Sequence, residues 1–371
     1  CTESASQTTS LDGDYTTRIH LGGLSPSTTY YYDVLVNGFS QSSGPYPQFK
    51  TFPEEGIALP FKVVVLNDFN TTYMLTTQVH TFASAGEENP DVVIMGGDFD
   101  HRNPRSESEK RQMFKDLYEG TSSFTDHILR KYPLAHVWDD HDYGENDADK
   151  TYAYKHLSLK VLREYFPLYP TSDHGDWQRF AYGQAELFML DSRSQRDPNS
   201  QLDGPDKSML DGDGLGIAGQ LEWLKSGLLN STATWKIVYT PSVFNPTSGK
   251  NDSWASFQHE RQDILDFVSA NAITGVILVT GDMHFGAIDD GTNSGLPEME
   301  VPSPDLPSAL SWYQTGTWSE GIYYEGLTVP SRGYGVLTFQ TDPDRVLLEV
   351  KDHEGQIRVS YALAIGPTPT P

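Results

Sequence analysis

Val92-Val93-Ile94-Met95-Gly96-Gly97-Asp98-Phe99-Asp100-His101 opens as an unbroken apolar run and closes on two acids and a histidine. A run of Val and Ile with no polar alternation suits a strand buried on both faces, as in a mostly parallel sheet. The paired glycines after it allow a tight turn and close approach of backbone or ligand. The same grammar recurs along the chain. Val63-Val64-Val65-Leu66-Asn67 ends in Asp68, and Ala135-His136-Val137-Trp138 ends in Asp139-Asp140-His141-Asp142. Val276-Ile277-Leu278-Val279-Thr280-Gly281 ends in Asp282, with His284 two residues on.

Outward from these runs, strand-like and helix-like segments alternate. Strands are predicted at 61–66, 92–95, 134–138, 186–190, 235–239 and 275–279, and helices around 71–84, 107–119, 151–165, 218–229 and 257–270. That alternation predicts an α/β domain with helices covering buried sheets. The chain then reverts to β at 335–340, 346–350 and 356–361, with turn chemistry at Asp342-Pro343-Asp344 and Glu354-Gly355. At the other end, alternation over Tyr15–Leu21 and Thr29–Val36 predicts strands with one buried face, and Pro53–Pro60 reads as a linker. The expected organisation is a polar tether and partial β-sandwich over 1–55, a catalytic domain over 61–365, and a Pro/Thr tail over 366–371.

Loops at the carboxyl ends of strands in an open α/β sheet face a common crevice. Four such loops here carry acids, three of them with histidine. Taken singly, each acid could cap a helix or end a strand in water. Gathered on one rim they would repel, at about 1.4 kcal/mol for each unit of pKa displacement. Bound cations relieve that repulsion, and an oxygen-rich set with one or two imidazoles suits Fe, Ca, Mn, Mg or Zn. His136, inside an apolar strand, reads as a core histidine, Asp139 as support for its loop or for another cation, and Asp142 as a partner that orients His141.

The order Asp68-x-Asn70, Gly97-Asp98-x-x-His101, Trp138-Asp139-Asp140-His141-Asp142, Gly281-Asp282-x-His284 resembles the calcineurin-like metallophosphoesterases. Within them it is similar to the PhoD alkaline phosphatase family, which Leu190-Asp191-Ser192-Arg193-x-x-Arg196 and Gly219-Gln220-Leu221-Glu222-Trp223-Leu224 also match. The resemblance spans roughly residues 61 to 361. It implies a four-layer α/β/β/α sandwich, preceded here by a partial fibronectin-III-like β domain (Leu24 to Tyr31 matches that fold's second half). It implies two or more metal ions, with Asp98 bridging two of them. Asp68, His101 and His284 would hold the first, and Asp140 and Asp282 the second. His141 would assist the leaving oxygen, and Arg193 would clamp phosphate oxygens. The implied activity is hydrolysis of phosphomonoesters, phosphodiesters or both by a metal-bound hydroxide. The chain departs from the family in offering Asp68 where a cysteine is common and His101 where a tyrosine is common, so a ferric–tyrosinate colour is not expected.

Composition narrows the partners. The 371 residues carry a net charge of -25, which opposes a nucleic acid as a stable partner, since such partners select basic surfaces. A phosphate-ester substrate stays compatible if cations reverse the local potential. The single cysteine, Cys1, excludes a disulfide framework or a Cys-based zinc site. Cys1 followed by a polar run resembles a mature bacterial lipoprotein, which predicts membrane attachment through a lipidated Cys1 and an extracytoplasmic (secreted, periplasmic or envelope) location; alternatively it reflects only where the numbering starts. Two rival readings stand beside the phosphoesterase. One is a metal-free carboxylate-pair hydrolase such as a glycosidase, and the other a non-catalytic, cation-dependent binding protein on the same fold.

Overall fold

The N-terminal segment forms two short ribbons, β1 (Thr29–Tyr31) with β4 (Gln48–Lys50) and β2 (Leu35–Val36) with β3 (Phe39–Ser40). The computed structural model describes residues 4, 6–70, 80–118, 122–168, 175–211, 219–306, 315–325, 332–342 and 344–365. Cys1, the first part of the helix expected from residue 71, Pro343 of the predicted turn and the 366–371 tail lie outside the described residues. No helix among the described residues is long and apolar enough to cross a membrane.

The apolar runs read from sequence become interior strands. In the six-stranded sheet, β5 (Phe61–Leu66), β6 (Val92–Met95) and β7 (Leu134–His136) are parallel. That sheet is completed antiparallel by β15 (Gly333–Thr341), β16 (Asp344–Asp352) and β17 (Ile357–Ala364), in the order β17-β16-β15-β5-β6-β7. The seven-stranded sheet contains β8 (Gln178–Tyr182), β9 (Ala185–Met189), β10 (Trp235–Thr240), β11 (Val276–Thr280), β12 (Gly286–Asp289), β13 (Glu298–Glu300) and β14 (Gly321–Tyr323). Its order is β14-β12-β13-β11-β10-β9-β8, and β9, β10, β11 and β13 run parallel.

The two sheets share one core. Val64, Ile94 and Val336 from one, and Ile237, Tyr239, Val279 and Met299 from the other, belong to the same buried cluster. Each fully buried aliphatic contributes about 1.5–3 kcal/mol relative to exposure. Helices α1 (His80–Glu87), α2 (Glu107–Leu117) and α4 (Lys155–Tyr165) add Phe82, Met113, Phe114, Leu159 and Leu162 to that cluster. Helices α5 (Gln220–Asn230) and α6 (Gln258–Ala270) set Leu224, Leu228, Ile264 and Val268 against Phe188, Val238, Val276 and Leu278 in a second cluster. A four-residue helix, α3 (Asp140–Tyr143), follows β7. The sheets also meet near their carboxyl ends, where Tyr239 Oη donates to the Gly96 carbonyl at 2.8 Å.

The structure departs from the sequence reading at the N-terminus. Tyr15–Leu21 is not a strand: residues 11–15 turn, and Asp14 and Tyr15 have φ of 48° and 59°. Ile19 and Leu21 stay exposed, so no sheet face is there to bury the alternation. The turn is held by charge instead: Asp14 pairs with Lys115 of α2 at 2.6 Å, and its carboxylate also accepts from Tyr165 Oη of α4.

Candidate metal centre

Strand ends from both sheets bring the acids together. β5 leads into Asp68, β6 into Asp98 and His101, β7 into Asp139–Asp142, β9 into Asp191 and Arg193, and β11 into Asp282 and His284. Asp68, Asp98 and Asp282 have φ of 54°, 53° and 77°, and His284 has 55°, so each turns sharply off its strand in the left-handed region. Such a conformation costs an L-residue roughly 1–2 kcal/mol and persists only where the surroundings enforce it. Here the loops brace one another. Asp68 N–H donates to the Gly97 carbonyl at 3.1 Å, Phe69 N–H to the Asp98 carbonyl at 2.8 Å, and Asp282 N–H to Asp68 Oδ2 at 3.0 Å. Gly97, at φ 96°, permits this closeness: a Cβ there would stand 2.4 Å from Asp139 N.

Three groupings result among the described residues. Asp98, His101 and His141 each present a donor atom mutually within 4.8 Å, and so do Asp68, Asp98, Asp139 and Asp282. Asp140, Asp147 and Asp252 form the third. His284 stands beside the second, its Nε2 3.6 Å from Asp68 Oδ1. The structure brings Asp68, Asp98, His101, Asp282 and His284 together, with His101 grouped with Asp98 and His141. Asp140 groups with Asp147 and Asp252, whereas the resemblance paired it with Asp282. Asp139, read as support for its loop or for another cation, lies with Asp68, Asp98 and Asp282, and shares a capping box with Asp142 at the start of α3. Asp142 holds Asp98: its carboxylate accepts from Asp98 N–H at 2.6 Å and Phe99 N–H at 3.0 Å. His141 is met instead by Asn103, whose Oδ1 lies 2.6 Å from the ring Nδ1.

Arg193 is fully buried among these acids. Its Nε engages Asp139, its Nη1 lies 2.5 Å from Asp252, and its Nη2 is 3.5 Å from Asp282 Oδ2. With Nε and Nη1 committed to carboxylates, the bidentate phosphate clamp expected of Arg193 is narrowed to Nη2. Lys250 pairs with Asp282, and Arg196 with Asp252. Lys250, Asp252, Asp147 and Asn103 escaped the sequence reading. Lys250 and Asp252 sit well past the end of β10 in a polar loop, so no strand-end signal marks them.

The electrostatics favour a bound cation. Burial, then the neighbouring Asp282, pushes the Asp68 carboxyl well above the usual range, and burial followed by Asp140 and Asp139 does the same to Asp98. Burial also raises Asp140, but Arg193 and His141 outweigh it and hold that carboxyl low. Burial, reinforced by His141 and His284, pushes His101 well down, which keeps its imidazole neutral and able to ligate. The buried Nε2 of His101 makes no hydrogen bond among the described residues, and the nearest acid, Asp98 Oδ2, is 3.9 Å away. Neutral imidazole next to crowded carboxyls is a donor set that fits hard or borderline metal ions.

The arrangement defines a class before it defines a family. A solved structure titled "Structure of PhoD" superposes with a TM-score of 0.68 at 19% identity, covering 92% of this chain and 76% of that one. A purple acid phosphatase isolated from yellow lupin (Lupinus luteus) seeds gives 0.60 at 14% identity, covering 92% of this chain and 60% of that one. The fold is thus the mixed α/β fold of metallophosphoesterase-like proteins. The chain belongs to the PhoD-like phosphatase family, whose sequence profile matches residues 95–307. Alkaline phosphatase D of Bacillus subtilis (strain 168) is 24% identical over 325 residues, covering 73% of this chain and 53% of that protein. The chain spans about half the length of this curated relative.

Proposed function

We propose that the chain hydrolyses phosphate esters, monoesters or diesters, with two or more metal ions held by Asp68, Asp98, His101, Asp282 and His284, joined by Asp139 and, on the adjoining side, Asp140. The observation that carries this reading is the position of Asp98, whose carboxylate is common to two of the three groupings. A carboxylate shared between two donor sets is what a bridging ligand requires. Ions bound there would supply Lewis-acid stabilisation of phosphoryl charge and lower the pKa of a water molecule. The chain's own residues do the rest. His141 stands at the edge of the Asp98–His101 group, placed to deliver a proton to a leaving oxygen. Arg193 adds fixed positive charge beneath the acids, with Nη2 the one guanidinium nitrogen that has no hydrogen bond among the described residues. The paired sheets and their flanking helix clusters support the four-layer sandwich, and the ribbons over 29–50 a partial fibronectin-III-like companion to a catalytic unit at 61–365.

The test uses the full chain with 4-nitrophenyl phosphate and bis(4-nitrophenyl) phosphate. Chelation is expected to abolish turnover, and added metal to restore it. Elemental analysis should find at least two ions per chain, and fewer in Asp98→Asn. Turnover indifferent to chelation would favour the metal-free carboxylate pair. A metal-loaded protein that turns over neither ester would be the binding protein.

A further inference from the structure

We infer that Asn103 is a positioning residue that fixes the His141 ring by accepting its Nδ1–H, leaving Nε2 as the nitrogen that serves the reaction. The inference deepens the phosphoesterase reading and rests on it. Asn103 lies on the loop after β6, two residues past His101, while His141 lies in α3 after β7. The Asn103 Oδ1 to His141 Nδ1 separation is 2.6 Å, a short, well-formed hydrogen bond. Asn103 adopts φ of 52°, a left-handed conformation that asparagine tolerates better than most residues, so the loop suits this side chain. The backbone of His141 is fixed as well: its N–H donates to Asp98 Oδ1 at 3.0 Å and Asp140 Oδ1 at 2.9 Å. With main chain and Nδ1 both held, Nε2 is the ring nitrogen that remains to meet a substrate. An amide oxygen accepts and cannot take up a proton, so it enforces Nδ1–H in both the neutral ring and the imidazolium.

The chemistry this serves is balanced as follows. Water adds its oxygen to phosphorus and gives up a proton to solvent. The P–O bond to the alcohol breaks with its electron pair remaining on the leaving oxygen. Nε2–H of His141, its ring held by Nδ1–H on Asn103, donates a hydrogen bond to that oxygen as charge builds on it, and the alcohol takes up from solvent the proton that the attacking water gave up. Asn103 touches none of the reacting atoms.

The experiment compares wild type, Asn103→Asp and Asn103→Leu on the 4-nitrophenyl and phenyl esters of phosphate, as both monoesters and diesters. Help to the leaving group matters more for the poorer leaving group, phenoxide, and general acid help is worth about 10²–10⁴ in rate. Asn103→Leu should therefore lose about tenfold or more additional kcat on the phenyl ester. Asn103→Asp, which retains an acceptor, should stay within a fewfold of wild type on both. Equal loss on both esters in Asn103→Leu would overturn the inference, as would an Asn103→Asp variant no better than Asn103→Leu. The second readout needs no turnover: ¹⁵N-histidine NMR of the full chain, neutral-ring form, should show His141 protonated at Nδ1 in wild type and mixed tautomers in Asn103→Leu. A wild-type ring protonated at Nε2 overturns the assignment of Asn103. Absence of any ester hydrolysis with Nδ1–H confirmed would instead sink the phosphoesterase reading alone.

Discussion

Single side chains here divide by whether a strand announces them. Asp68, Asp98, Asp282 and His284 were legible because each stands at or just past the end of an apolar run, and the two sheets then bring those ends together. Asn103, Lys250 and Asp252 were not, because their positions depend on loop paths that no local periodicity encodes. His136 shows what a buried residue in a strand does when it is no ligand. Its Nδ1 lies 3.0 Å from the Met95 carbonyl and its ring stacks on Phe166 at 4.3 Å. Burial pushes its pKa down from the ordinary 6.5 to about 3. Below pH 6.5 the unfolded chain binds a proton at this position that the folded chain refuses, so the stability it contributes is complete above that pH and declines as pH falls towards 3. The decline is about 1.4 kcal/mol per pH unit for this one group. Urea melts at pH 7 and pH 5 should therefore differ by about 2 kcal/mol less in His136→Gln than in wild type. Equal differences would show that His136 is not the acid-sensitive group.

At the level of elements, the parallel strands and the helices between them followed from continuous apolar runs and helical spacing. β13 was missed because its sequence, Glu298-Met299-Glu300, looks exposed, yet both glutamates are buried. Each accepts hydrogen bonds there: Glu298 from Phe244 N–H at 2.9 Å and Glu300 from Thr280 Oγ1 at 2.6 Å. The predicted strand at 15–21 failed for the opposite reason, alternation with no sheet to receive it. The short α3 is too small to be stable alone, because helix nucleation is costly. Lys110 of α2 reaches beneath it, with Nζ 3.1 Å from the carbonyls of both Asp142 and Tyr143. Lys110→Met is expected to lower stability by about 1.5–3 kcal/mol, the usual range for hydrogen bonds to a charged group. Amide exchange at 140–144 should accelerate more than at β5 or β6. Uniform acceleration would mean that Lys110 serves only global stability. Gly97→Ala should also destabilise, by 2 kcal/mol or more on the order of other forced left-handed clashes, with its loss of metal content read by elemental analysis.

For the molecule as a whole, burying so many acids between two sheets makes stability depend on what binds there. An ion present at about 100 times its Kd would add about 2.7 kcal/mol, enough to raise Tm by about 3–4 °C in a chain of this size. Stripping the protein with a chelator should lower Tm by that amount, and adding back metal should restore it; a Tm that ignores chelation would remove the cations from the account. The left-handed turns at Asp68, Asp98 and Asp282 set a further condition on descent. Glycine would relax each of these corners and remove a buried, crowded carboxyl, so a copy of the gene with no further use for these acids would become sturdier by drifting towards glycine there. Retired members of such a lineage should carry that mark in their sequences, and a metal-free Asp98→Gly protein should melt above its metal-free parent.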